Sequence, residues 1–253
     1  MMKKSLGICI CLFFSYVVHA QGDKEVLQNI FKNMSSQYTE QETEKVFFMS
    51  YSLHTVHLDT LEKPTDVTIE VWKKNSLVEI KSAQMNVYQD LKETFIMLPD
   101  KHMIMRNDAT LRKQDQASVN KNMGLYDSLL NYSQIVDSQI QKFKKEYDRK
   151  ISIAVNEKGQ QLFKIKKADY FINTETKTIK KVRVYYTDQT AALSKIAYVD
   201  YIINDMQEDY QGKKLSAQVA SIFLNGDKLK NTYKDYKLVD NRAVVHKRER
   251  YQE

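Results

Sequence analysis

The stretch from Thr65 to Asp108 constrains the fold more than any other, because it reads as four extended segments joined by short turns. Val67, Ile69 and Val71 alternate with Thr68, Glu70 and Trp72, a period of two that sends one apolar and one mixed row to opposite sides of a strand. The polar run Lys73-Lys74-Asn75-Ser76 turns the chain. Leu77, Val78 and Ile80, then Met85, Val87 and Tyr88, form a second extended run whose apolar phase changes near Ser82-Ala83, which predicts a bulge or bend. Phe95 and Met97 alternate with Thr94, Ile96 and Leu98 up to Pro99-Asp100, a pair suited to the centre of a type I turn, and Met103 and Met105 lead the returning strand. Four consecutive antiparallel strands make a meander, part of a strongly curved sheet or open barrel.

The compartment follows from the first residues. Lys3-Lys4, an apolar run from Leu6 to Val18 and the small-residue site Val18-His19-Ala20 have the order of a secretory signal peptide over residues 1–20, with cleavage expected after Ala20. The apolar run is shorter than the roughly 20 residues of a membrane-spanning helix. Both cysteines, Cys9 and Cys11, lie inside it, so a processed chain starting at Gln21 has neither disulfides nor thiol chemistry, and no lipobox is formed. A soluble periplasmic or otherwise exported protein is expected. The formal charge of +7, to which Lys3 and Lys4 contribute, would suggest nucleic acid in a cytosolic protein. After export it suits instead anionic headgroups, an acidic protein surface or plain solvation, leaving peripheral membrane contact open.

Residues 21–253 are read as one domain. Asp23 can cap a helix over about residues 23–36 in which Val26, Leu27, Ile30, Phe31 and Met34 form one stripe. From Lys45 to Leu58 the period becomes two, placing Phe47, Met49, Tyr51 and Leu53 on one side of a long first strand, so that strands fill 45–108. After the polar segment Ala109–Asn122 and Gly124, Leu125, Leu129, Tyr132, Val136, Ile140, Phe143 and Tyr147 recur at threes and fours. That spacing predicts an inserted amphipathic helix over about residues 124–147. Strands resume over 150–240: Ile151 to Val155, a turn at Asn156-Glu157-Lys158-Gly159, Leu162 to Ile165, Tyr170 to Ile172, Val182 to Tyr186 and Ile196 to Ile203. Leu215–Leu224 suits either helix or strand, and Asn225-Gly226 after it is a hairpin signal that favours strand. The fold class is mainly β with some helix: a strongly curved antiparallel sheet or unclosed barrel, an N-terminal helix and the long inserted helix.

The sequence points to no catalytic, cofactor or metal residues. His54 and His57 sit an odd number apart on a strand and face opposite ways, so they do not chelate one ion. No serine occupies a Gly-x-Ser-x-Gly elbow, and Gly22, Gly124, Gly159, Gly212 and Gly226 form no phosphate loop. Asp205, Glu208 and Asp209 sit among Gln207 and Gln211 as a solvated connection would. No enzyme is indicated. The sixteen tyrosines mostly alternate with aliphatic residues and read as core or rim. What stands out is the methionine bias of the first strand and meander: Met49, Met85, Met97, Met103 and Met105. Methionine accommodates variable apolar partners. The alternation places Met49, Tyr51, Leu53, Val67, Ile69, Val71, Phe95 and Met97 around a hydrophobic cavity between meander and helices.

The leader, the short helix, the Phe/Tyr-rich first strand, Val67-Thr68-Ile69-Glu70-Val71-Trp72 and Asp90-Leu91-Lys92-Glu93-Thr94-Phe95-Ile96-Met97-Leu98-Pro99-Asp100-Lys101 together resemble the LolA/LolB-like lipoprotein-carrier superfamily. The resemblance spans Asp23 to Asp108 and, more loosely, Ile151 to Ile203. It implies an unclosed antiparallel barrel around an apolar cavity with helices as lid, carrying acyl chains or lipoprotein across the periplasm in the service of outer-membrane lipoprotein sorting. The inserted segment is longer than that family's. Two readings stay open: a lipid- or lipoprotein-binding carrier or chaperone-like protein of the envelope, and a non-enzymatic interaction or assembly component with envelope-protein partners that uses the same fold with a packed core. Neither needs a cofactor. Fusing Met1–Gln21 to a periplasm-dependent reporter should give activity, with a processed N-terminus near Gln21; a retained leader on a cytosolic product would contradict export.

Overall fold

The computed structural model describes residues 22–33, 45–109, 129–143 and 146–242. Its strands are β1 (Phe47–His57), β2 (Thr65–Lys74), β3 (Leu77–Lys81), β4 (Asn86–Gln89), β5 (Glu93–Leu98), β6 (Met103–Asp108), β7 (Ser133–Phe143), β8 (Glu146–Val155), β9 (Ile165–Asn173), β10 (Ile179–Tyr186), β11 (Ile196–Gln207), β12 (Leu224–Asn225), β13 (Lys228–Leu229) and β14 (Lys237–Asp240). Twelve of them form one sheet that does not close into a barrel, in the order β14-β6-β5-β4-β3-β2-β1-β11-β10-β9-β8-β7. Neighbours such as β2 and β3 or β5 and β6 run antiparallel, whereas β14 and β6 are parallel. The chain packs as two compact units, the first drawing on residues 22–33, 54–65 and 129–202, the second on 45–53, 66–109 and 203–242.

In the first unit helix α1 (residues 22–33) buries Leu27, Ile30 and Phe31, and Phe31 meets Tyr170 edge-on at 5.6 Å. Ile151, Ile153, Ala168 and Ile172 belong to the same apolar side of β8 and β9, all at most 2% exposed. Asp23 does not cap the helix. It lies within it, buried, and forms an ion pair with Arg149 of β8. The opposite side of this unit carries a cross-strand row in which Ser152, Asp169, Arg183 and Asp200 stand opposite one another in turn. Arg183 grips Asp200 through two bonds of 2.6 and 2.8 Å, which raises the guanidinium pKa above its ordinary value.

Several expectations are corrected. The helix predicted over 124–147 exists only as a helical turn at 129–131; residues 124–128 lie outside those described, and from Ser133 the chain is the β7–β8 hairpin. The register runs from Ser133 opposite Val155 to Gln141 opposite Asp148, with a bulge between Ile135 and Asp137. A helical stripe is stable only with something to cover it, whereas the ladder gives each residue of an Ile/Val-containing segment its backbone partners. The cost is visible at the sheet edge, where Val136 and Ile140 are 53% and 67% exposed.

The meander has five strands, not four. The phase change at Ser82 is a full turn, closed by the Ser82 N–H bonding to Met85 O at 3.0 Å, and it separates β3 from β4. The turn read at Asn156–Gly159 is the start of helix α2 (Glu157–Phe163), capped by Asn156, so no strand begins at Leu162. Sequence analysis assigned nothing to helix α3 (Asp188–Ser194), capped by Thr187. Within Leu215–Leu224 a helical turn α4 (Ala220–Phe223) replaces the favoured strand, although Asn225-Gly226 does close the β12–β13 hairpin, with Gly226 at φ 62°. Between β2 and β3 the two-residue turn places Asn75 at φ 53°, a conformation asparagine tolerates.

Gly159 provides a test of this packing. A Cβ there would stand 2.5 Å from Val155 Cγ1 and 2.7 Å from Tyr132 Cβ. Although alanine favours helix, Gly159→Ala should therefore lower stability by about 1–3 kcal/mol in chemical denaturation; a stabilised variant would show that α2 is free to move away from Tyr132.

Candidate functional site

In an antiparallel ladder, residues opposite one another point to the same side. Trp72, Glu79, Tyr88, Phe95 and Arg106 oppose one another in turn across β2 to β6, and so share one side of the second unit. Val71, Ile80, Val87, Ile96 and Met105 form the corresponding row on the other side. Contacts along β1 fix its phase: Phe48 packs on Trp72 at 5.3 Å, and Ser52 Oγ lies 3.2 Å from Thr68 Oγ1. Phe48 and Ser52 thus stand with Trp72, and Met49, Tyr51 and Leu53 stand with Val67, Ile69 and Val71.

Six of the eight residues expected to line a cavity therefore come together on one side, each half-buried. Phe95 and Met97 do not join them. They face the opposite side, where Phe95 is fully buried and Met97 packs against the same cluster. The residues that complete the six-residue face are Ile80, Val87, Ile96, Leu98, Met103 and Met105. Their alternation was visible in the sequence, but their side is decided by register, since Val87 stands opposite Ile96 and Ile96 opposite Met105.

The side carrying Phe95 is filled by the C-terminal segment. Phe223 stacks on Phe95 at 5.0 Å, meets Tyr88 edge-on at 5.1 Å and touches Tyr233 at 5.2 Å. Asp90 holds the segment's start: its Oδ2 accepts the Val219 N–H at 2.8 Å while Oδ1 accepts those of Lys92 and Glu93. At the far end β14 lies beside β6, and Glu93 Oε2 accepts from Arg106 at 2.6 Å and from Arg242 at 3.4 Å. Arg242 also binds Asp240, holding that carboxyl below its ordinary pKa. Beside this cluster Phe48, Trp72 and Tyr210 stack, and Lys213 lies 3.6 Å over the indole while binding Glu79 at 2.6 Å. Burial lowers the Lys213 pKa and raises that of Tyr88. A cleft between β3, β4 and the segment, lined by Leu77, Tyr88, Leu215, Val219 and Ile222 among others, has a cavity volume of about 10 Å³, room for about one water.

The charged and imidazole side chains noted in the sequence are dispersed. His57 Nδ1 lies 3.3 Å from Glu62, exposed His102 stacks on Tyr236, and His246 falls outside the described residues. Asp205 and Asp209 are exposed and accept from Gln207 and Gln211. Among the described residues no helix is long and apolar enough to cross a membrane, and no cluster of three His, Cys, Asp or Glu could hold a metal ion.

No protein-family model matches the chain, and no curated protein matches it. Solved structures do. An uncharacterized conserved protein from Thermus thermophilus matches at a TM-score of 0.38 and 10% identity, over 87% of this chain and 99% of that one. A LolA superfamily protein from Nitrosomonas europaea matches at 0.29 and 11%, over 77% and 97%. A DUF1329 family protein from Desulfovibrio piger matches at 0.36 and 9%, over 78% and 98%.

The packing of Phe223 generates a prediction. Phe223→Ala should cost about 3–5 kcal/mol and increase hydrogen exchange at Val219 and in β14 more than in β8 or β9, since the latter belong to the first unit. Uniform loss of protection would mean that the segment is not a separable cover.

Proposed function

We propose that this is an exported lipid- or lipoprotein-binding carrier of the cell envelope, working in the periplasm as a single-domain, non-enzymatic protein. The observation that carries this reading is the face formed by Met49, Tyr51, Leu53, Val67, Ile69 and Val71. A sheet face that carries an unbroken apolar row, while the described clusters of buried residues in its unit lie on the other side, suits acyl chains. Met103 and Met105 on the same face suit a ligand of variable shape, because the thioether chain adapts where branched residues do not. The proposed cavity is then a property of this face alone; Phe95 and Met97, within the cluster capped by Phe223, support it from behind.

Under the second reading, the face docks an envelope protein and never holds lipid. One experiment separates the two. Native mass spectrometry of the processed protein from the periplasm should show co-purified lipid, and Ile69→Lys should abolish it while moving the melting temperature by no more than about 5 °C. Retention of lipid by Ile69→Lys, or absence of lipid from the native protein after supplementation, would remove the carrier reading.

A further inference from the structure

Three connections meet at one end of the strands of the first unit: the β1–β2 loop (58–64), the β8–β9 connection that holds α2 (156–164) and the β10–β11 connection that holds α3 (187–195). They are tied in a row. The Leu58 N–H donates to Lys195 O at 2.9 Å, and the Thr187 N–H donates to Lys164 O at 3.0 Å. Each connection carries exposed leucine. Leu61 at 89% and Leu193 at 81% are the most exposed large apolar side chains among the described residues, and Leu162 and Leu58 stand at 59% and 52%. Helices α2 and α3 repeat one pattern: each is seven residues long with a leucine next to last, and each is closed by an exposed lysine, Lys164 or Lys195, in the left-handed conformation at φ 60° and 57°. Glycine is the usual residue at such a cap.

The charges around the leucines are mixed but not equally available. Asp59 Oδ1 accepts the Leu61 N–H at 2.8 Å, Glu62 lies 3.3 Å from His57 Nδ1, and Asp188 accepts from Lys166 at 2.6 Å. Lys63, Lys164 and Lys195 are exposed and enter no ion pair among the described residues.

We propose that this end of the first unit docks on a lipid bilayer, with Leu58, Leu61, Leu162 and Leu193 entering the headgroup boundary and the neighbouring lysines meeting anionic lipid. Single exposed leucines are common on protein surfaces, but four on connections bonded to one another form a patch. The partner is assigned by composition. Protein interfaces are anchored by tryptophan, tyrosine and arginine seated in pockets, and residues 58–64, 156–164 and 187–195 contain none of the three. A bilayer needs no matching pocket. It takes up separate aliphatic tips, while the stem of an exposed lysine lies along the apolar boundary and its ammonium reaches the phosphates. The three lysines without acidic partners give the end its complementarity to anionic headgroups. The inference does not rest on the carrier reading, because it concerns other residues, although a carrier that loads or delivers lipid has to meet a membrane.

The test uses the full processed chain and flotation with vesicles of phosphatidylcholine, with and without phosphatidylglycerol. The protein should float with the vesicles that contain phosphatidylglycerol, and less with phosphatidylcholine alone. Leu61→Ser combined with Leu193→Ser should lower partitioning about tenfold and leave the melting temperature unchanged, since water already surrounds both side chains in the folded protein. Val136→Ser combined with Ile140→Ser, exposed on β7, should leave flotation intact. Lys63→Gln, Lys164→Gln and Lys195→Gln together should remove the difference between the two vesicle types. Absence of flotation, flotation that the leucine pair leaves unchanged, or equal loss in the β7 pair would overturn the docking surface. A lipid-free dimer in analytical ultracentrifugation that dissociates in the leucine variant would overturn it in favour of contact between copies. Co-purified lipid without flotation would remove this surface and keep the carrier reading, whereas leucine-dependent flotation without co-purified lipid would do the reverse.

Discussion

An antiparallel ladder gives every strand two sides and forces opposed residues onto the same one, so a sheet of this length must find cover for two surfaces at once. The two units solve that problem differently. In the first, helix α1 and the apolar residues of β8 and β9 share one side, and the other is occupied by charged and aromatic residues that pair among themselves. Lys181 lies 4.1 Å over Phe171 and Arg183 lies 4.0 Å over Tyr198. Carboxylates such as Asp169 and Asp200 are buried there because their neighbours in the ladder are cations.

The second unit has no α1. Its cover is the C-terminal segment, fastened by Asp90 at one end, by Phe223 in the middle and by the Glu93, Arg106, Asp240 and Arg242 group at the other. Polar clips of this kind fix position more than they add stability; the burial of Phe223, Phe95 and Ile104 supplies most of the free energy. Among the described residues the C-terminal segment covers one side, and the proposed function assigns the ligand to the apolar row on the other. The separation also explains why mutation at Ile69 and mutation at Phe223 are expected to report on different properties, binding in one case and stability in the other.

Alternation of Val67, Ile69 and Val71, and of Met49, Tyr51 and Leu53, was legible in the sequence at once, and these six do share a side. Phe95 and Met97 obey the same alternation on their own strand, yet face the other way. A period of two says that residues i and i+2 agree; it says nothing about which side two strands have in common, since that depends on the length of every turn between them. The register of β5 on β4, with Ile96 opposite Val87, places Ile96 and Leu98 rather than Phe95 and Met97 with the six. At Ser133–Phe143 the failure was of another kind, for a spacing of threes and fours fits a helix only if a partner surface waits for the stripe, and the partner here was strand β8.

What the sequence by itself determined is therefore local: a mostly β chain, the strands of the first half, and the presence of an apolar row with methionines, all consequences of side-chain period and turn chemistry. The tertiary structure alone decided which rows face each other and that the segment from Val219 to Asp240 closes one side of the second unit. These are properties of register and long-range packing. No window of neighbouring residues contains them, because the residues concerned, such as Asp90 and Val219 or Val71 and Met105, become neighbours in space or members of one face only when the ladder is assembled.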